Sequence, residues 1–219
     1  MGGPIWNPFN QVHMGRFTFL LISVLAYILL RPFLENFLGL HFLMTLFITF
    51  VLISGAYAVS SNKRGFIIGM IIFFPAICMQ WGRYFIASAW PLVFAKAMGL
   101  VFIAYVIVII LRYLFKEKQI TADVIIGAIC VYLLFGIMWS FGYTLIELIW
   151  PGSFHYTGDL DNTLFYYSYV TLTTVGYGDV VPISNIARSI AILEAITGQI
   201  YLAVLIARLV GIHSSQSIS

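Results

Sequence analysis

The sequence predicts an all-α membrane protein, with six membrane-crossing helices and a polar loop that dips back between the fifth and the sixth. Three observations predict it. The first is composition. Of 219 residues, 62% are hydrophobic and only 9% charged, whereas an average soluble chain is about 25% charged. Mean hydropathy is +1.01, and such a chain has too little polar surface to stay in water. The second is a set of six apolar segments, each near the ~20 residues needed to cross a bilayer. The third is the stretch 171–179, Thr-Leu-Thr-Thr-Val-Gly-Tyr-Gly-Asp. It is too polar and too glycine-rich to cross as a helix. Irregular backbone at membrane depth persists only where it is buried in protein or lines a water-filled cavity, so this stretch should line something.

Residues 1–15 hold Pro4, Trp6, Pro8 and Phe9 with few charges, and predict a segment lying at the interface with its aromatics at headgroup level. The crossing segments follow at 16–34, 38–59, 66–84, 91–115, 121–149 and 186–210. Arg31 and Pro32 blur the end of the first, and Pro75 predicts a kink in the third. The organisation expected is an interfacial segment (1–15), a four-helix front domain (16–118), a second domain (119–211) and a short tail (212–219). Cys78 and Cys130 both fall in apolar segments and read as core thiols, not as a disulfide.

Basic residues set the orientation. With the N-terminus inside, the inner side collects Arg16, Lys63, Arg64, Arg112, Lys116, Lys118 and Arg208, and the outer side Arg31, Arg83, Lys96 and Arg188. The excess favours cytoplasmic termini and places the 171–179 loop outside. The net charge of +3 is spread over scattered residues, which read as topology signals and not as a nucleic-acid surface. His13, His41, His155 and His213 are dispersed, and no nucleophile–base pair, phosphate loop or metal cluster is visible, so an enzyme is not expected.

Residues Thr174, Val175, Gly176, Tyr177 and Gly178 resemble, residue by residue, the selectivity filter of the tetrameric potassium channel family. The likeness extends over about 121–211. It implies a homotetramer in which four such strands stack rings of carbonyl oxygens that replace the water shell of a potassium ion. Potassium bound at Thr174, Val175, Gly176 and Tyr177 is then the substrate, with no cofactor implied. Gly176 and Gly178 tolerate backbone angles that let successive carbonyls point one way. Residues 160–173 read as the pore helix, capped by Asp161 or Asn162. Its C-terminal end, with Thr173 last, would offer about half a negative charge to a cation. Tyr166, Tyr167 and Tyr169 are candidates for an aromatic cuff around the filter, or simply anchors of the helix.

Asp179 lies at the outer mouth, where bracing the filter from behind is preferred to attracting cations. Val170 stands where some members of that family carry a carboxylate that bonds to this aspartate, so that bond is not expected here. Glu147 resembles a family glutamate that ties the fifth helix to the loop after the filter. On the sixth helix, Gly198 matches a glycine hinge, although a close helix contact explains a small residue equally well. Gln199, Leu202 and Ile206 share one face at helical spacing. A glutamine in a spanning helix needs water or a partner, which turns this face to the cavity and makes Leu202 and Ile206 a candidate hydrophobic gate. Glu194, a lone acid, is expected to make a structural hydrogen bond behind the pore helix. Arg188 reads as an outer interface anchor.

The front domain resembles a voltage sensor in helix number only. Voltage sensing needs basic residues repeated along the fourth helix, and that segment holds Lys96 and Arg112 with no Arg-x-x-Arg repeat. Weak or absent voltage dependence follows. Lys96 reads as a snorkelling side chain, with a salt bridge to Glu35 as the lesser option. The chain ends at Ser219, and no cytoplasmic ligand-binding domain is expected on it. The expected function is passive potassium conduction across a plasma (inner) membrane. The competing expectation is a non-conducting or transport-coupled membrane subunit that uses the same pore fold.

Overall fold

The computed structural model describes residues 16–35, 41–59, 63–82, 85 and 90–216. The expected interfacial segment 1–15 and the side chain of Glu35 lie outside the described residues. The described residues form seven helices: α1 (Arg16–Glu35), α2 (His41–Val59), α3 (Lys63–Gly82), α4 (Trp90–Lys116), α5 (Ala122–Ile149), α6 (Leu160–Leu172) and α7 (Asn185–Gln216). Their bounds follow the apolar segments to within a few residues, because a continuous apolar run fixes the part of the backbone that must satisfy its own hydrogen bonds. Three of the described helices, α4, α5 and α7, are long and apolar enough to cross a membrane. Shorter apolar helices cover Phe17–Arg31, Thr45–Ala58 and Ile67–Gly82. Helix α3 is assigned as one helix through Pro75.

Helices α1 to α4 pack together, and α1 and α4 both pack on α5. The main core runs through Phe17, Leu20 and Val24 of α1, Phe102, Val106 and Ile110 of α4, and Val131 and Leu134 of α5. Inside a bilayer, helices associate through close packing and hydrogen bonds, because lipid tails are as apolar as the side chains themselves. The contacts on α5 show this. A Cβ on Gly99 of α4 would sit 2.7 Å from the Phe141 ring, so α4 and α5 meet only because that side chain is missing. Cys130, buried on α5, points its Sγ at the Phe17 carbonyl of α1 at 3.5 Å, while Cys78 is exposed and so is not the core thiol expected.

Helices α6 and α7 also pack on α5. Between α5 and α6, β1 (Phe154–His155) pairs antiparallel with β2 (Val181–Pro182), with Phe154 opposite Pro182 and His155 opposite Val181. This pairing ties the chain before α6 to the chain after the 174–178 loop. A second, smaller core of Tyr143, Phe154, Leu164, Tyr167, Val180 and Ala187 fills the space under it. Helix α7 is different from the rest. Only 11% of its apolar stretch is buried, against 61% for α5. Ile192, Ile196, Ile200, Val204 and Ile206 are exposed along it.

Candidate functional site, the pore loop and its supports

Helix α6 starts at Leu160, as the sequence reading expects, but its cap is neither of the two residues expected. Asp159 is the cap: its carboxylate accepts from the Asn162 amide at 3.1 Å. Asp161 and Asn162, the caps expected from sequence, already stand in the first turn, and their side chains are engaged elsewhere. At the far end Thr173 closes the helix, its hydroxyl donating to the Tyr169 carbonyl at 2.7 Å. The chain then folds back on α6. The Thr174 amide donates to Thr171 O at 3.0 Å, and the amides of Val175 and Gly176 both donate to Val170 O, at 3.0 and 3.3 Å. So Val170 holds the loop through its carbonyl, whatever its side chain.

Beyond this anchor, φ is positive at every second residue: +59° at Thr174, +59° at Gly176 and +82° at Gly178. Glycine takes such angles at no steric cost, but a threonine at positive φ is uncommon and must be held there by its surroundings. Backbone whose φ changes sign from residue to residue in this way departs from both helix and strand. Val175 and Tyr177 are exposed, so in a single chain this loop is bare on the side away from α6.

The three tyrosines of α6 part company because successive helical residues point about 100° apart. Tyr166 stacks on Tyr177 with the rings 6.5 Å apart and 4° from parallel. Asp179 accepts from the Val180 amide at 3.1 Å. Tyr167 points into the small core, edge-on to Tyr143 and Phe154. Tyr169 reaches α5, where its hydroxyl donates to Leu133 O at 2.7 Å. Only Tyr166 therefore touches the loop. The other two anchor the helix that carries it.

Glu194 of α7 lies fully buried behind α6. The Tyr143 hydroxyl donates to one carboxyl oxygen, and Ser168 Oγ lies 2.5 Å from the other and 2.8 Å from Gly136 O. One carboxyl group thus joins α5, α6 and α7. Glu147 accepts from the amides of Gly152, at 2.8 Å, and Phe154, at 3.0 Å. Both amides belong to the loop before α6. Glu147 thus reaches the chain after 174–178 only at second hand, through the β1–β2 pair, and not directly as its resemblance implies.

On α7, Gly198 is buried against Leu172 of α6, while Gln199 and Ile206 are exposed and Leu202 is half-buried. At the far end of α7, Arg208 donates to Glu117 O at 2.7 Å and lies over the Phe115 ring, which fastens α7 to the short connection between α4 and α5. Arg188 near its start donates to Pro182 O at 3.1 Å.

Two cations that sequence reasoning placed at the surface are part of this region. Lys96 of α4 is buried, 2.6 Å from Asp161 and over the Phe141 ring. It does not snorkel, and the option of a salt bridge to Glu35 falls on a side chain outside the described residues. Arg31 of α1 is also buried. It donates to the Asn162 side chain and, at 2.9 Å, to the Tyr27 hydroxyl, and it lies on the Phe165 ring. The available signal was the rarity of a cation in an apolar segment, which marks a partner by default.

The loop with positive φ at every second residue lies in the chain between α6 and α7. Residues 122–213, somewhat under half of the chain, match the family model described as "Ion channel". That match and the apolar helices indicate ion-channel activity in a membrane-integral protein. No curated protein and no solved structure matches the chain.

Proposed function

We propose that the chain is one quarter of a potassium-selective channel. Four copies meet at an axis and place their 174–178 loops around it, with main-chain oxygens replacing the hydration of potassium, which passes down its gradient. The observation that carries this reading is the alternation of backbone hand at Thr174, Gly176 and Gly178. A loop built this way offers carbonyls along one line, and a single chain leaves that line uncovered.

The bare flank of α7 supports assembly, since its exposed apolar residues need neighbouring copies, lipid or a water-filled cavity. The helix end at Thr173 supplies partial negative charge toward the centre of such an assembly. Asp179, which accepts from the Val180 amide, braces the loop from behind. Gln199, Leu202 and Ile206 line the cavity, the last two as its hydrophobic closure. All six apolar segments cross the bilayer of a plasma (inner) membrane, with both termini cytoplasmic by the count of basic residues. Voltage dependence is weak or absent, because the buried cations of the front half, Arg31 and Lys96, are fastened to α6 and are poorly arranged to move through the field.

The test is flux from liposomes that hold purified protein. Potassium efflux without sodium efflux, blocked by barium, from a fourfold assembly is the expected result. Equal passage of sodium, or an assembly of another order, overturns the reading.

A further inference from the structure

The front four helices have no arginine repeat to explain them, yet they present two buried cations to consecutive residues at one point. Arg31 from α1 holds Asn162, and Lys96 from α4 holds Asp161. These partners are 131 residues and 65 residues away along the chain, so the contact is made by the fold and not by neighbourhood. We propose that the front domain is a two-point clamp on the start of α6, and that its effect on the pore is exerted through the filter. This inference rests on the channel reading above.

Three features carry it. Both cations are desolvated, and a buried charge is retained only where a partner meets it. Lys96 is 9% exposed at its side chain and Asp161 28%, and Thr144 of α5 adds its hydroxyl toward the same Asp161 oxygen at 3.5 Å. Second, cations near a helix N-terminus oppose its dipole. Two of them at the start of α6 are offset by Asp159, which caps the helix, and Asp161 in its first turn. The arrangement thus trades helix electrostatics for attachment. Third, α6 is a rigid rod with the loop hung from its other end. The Val170 carbonyl holds Val175 and Gly176, and Tyr166 stacks on Tyr177. A tilt of α6 set at its first turn is delivered to the loop by these contacts. Residues 117–121 between α4 and α5 are non-helical and too few to form a lever of their own.

Lys96 and Asp161 are therefore positioning residues for ion selection. The full-length protein in liposomes of fixed composition is compared with Lys96→Met, Asp161→Asn and the double variant, reading potassium and sodium efflux in parallel and half-block by barium. Each single variant should lower the potassium-to-sodium ratio by about tenfold, as coupled buried pairs do. The double variant should lower it by less than the two single effects combined, because the two groups act as one pair. Asn162→Leu, at a half-buried position, tests the second point of the clamp should the single charge variants fail to fold, and it should lower the ratio too. If folded variants keep the unaltered ratio and barium block while total flux merely follows the amount of assembly, the clamp is only packing and the proposal fails. Silence or sodium passage in the unaltered protein would instead sink the channel reading beneath it.

Discussion

Gly198 of α7 faces the last turn of α6 so closely that a Cβ would lie 2.8 Å from the Leu172 carbonyl oxygen and 2.9 Å from Leu172 Cδ1. The carbonyl also faces the Tyr132 hydroxyl at 3.4 Å, so moving it aside would loosen that contact. Gly198→Ala should therefore push α7 off α6. Overpacking of this kind costs about 1–3 kcal/mol. The expected result is a lower unfolding temperature of the purified assembly in detergent. A glycine needed only as a hinge would change opening and leave that temperature alone.

The Glu194 cluster makes a second prediction. Ser168 has one hydroxyl proton and two neighbours in reach, Gly136 O at 2.8 Å and Glu194 Oε1 at 2.5 Å. A neutral side chain that donates to Ser168 and accepts from Tyr143 would satisfy the whole set, and glutamine does both. Glu194→Gln should keep thermal stability close to that of the unaltered protein. Glu194→Ala leaves the Tyr143 hydroxyl buried and unsatisfied, at a cost of about 1–3 kcal/mol for the group, with a cavity added. Thermal unfolding of the two variants side by side checks the order. Equal loss in both would mean that the charge matters and not the hydrogen bonds.

These two sites show what could be read beforehand and what could not. Hydropathy marked out the helices, because length and apolarity are local properties. The loop at 174–178 was legible because two glycines in fixed positions prescribe a backbone. Glu194 was legible as a hydrogen-bonded acid, since nothing else excuses a carboxyl group in an apolar helix. Its partners Tyr143 and Ser168 were not, for they come from other elements. Asp159, Asp161 and Asn162 lie within four positions and all are good caps, so spacing alone does not choose among them. The fold chooses, by calling Asp161 and Asn162 to Lys96 and Arg31. Lys96 was misread for the same reason, since snorkelling is the best account of a lone lysine until a carboxylate from another helix is placed beside it.

Outside the helices, Tyr156 gives a prediction in pH. Burial raises its hydroxyl above the ordinary tyrosine value of 10.0, with the carboxylates of Glu147 and Asp159 adding to the shift. The folded chain thus holds this proton more tightly than the unfolded chain. Its share of stability is complete below pH ~10 and is lost as the pH climbs through the raised value. Tyr156→Phe has no proton to lose, so its stability should fall less steeply on the alkaline side. Unfolding temperatures measured from neutral to strongly alkaline pH would show the two curves parting only at the alkaline end. Parallel curves would contradict the shift.

The loop itself makes the sharpest prediction. Gly176 and Gly178 hold φ of +59° and +82°, and no atom lies within 4 Å of where a Cβ would stand on either in the single chain. Alanine there is opposed by backbone strain alone, about 1–2 kcal/mol per residue held left-handed. That is too little to unfold a chain held by seven packed helices, yet enough to release a backbone whose conformation has no other support on its open side. Gly178→Ala should thus yield protein of near-normal yield and thermal stability, with potassium flux lost or sodium admitted. Thr174 supplies the contrast. It already carries a side chain at φ +59°, held by the amide bond to Thr171 O at 3.0 Å. Thr174→Gly should relieve strain and leave the fold intact while it removes a hydroxyl from the inner end of the loop. Ion flux and unfolding temperature measured on the same preparations separate the two effects. Global unfolding in Gly178→Ala would show that the loop is part of the scaffold and not a guest upon it.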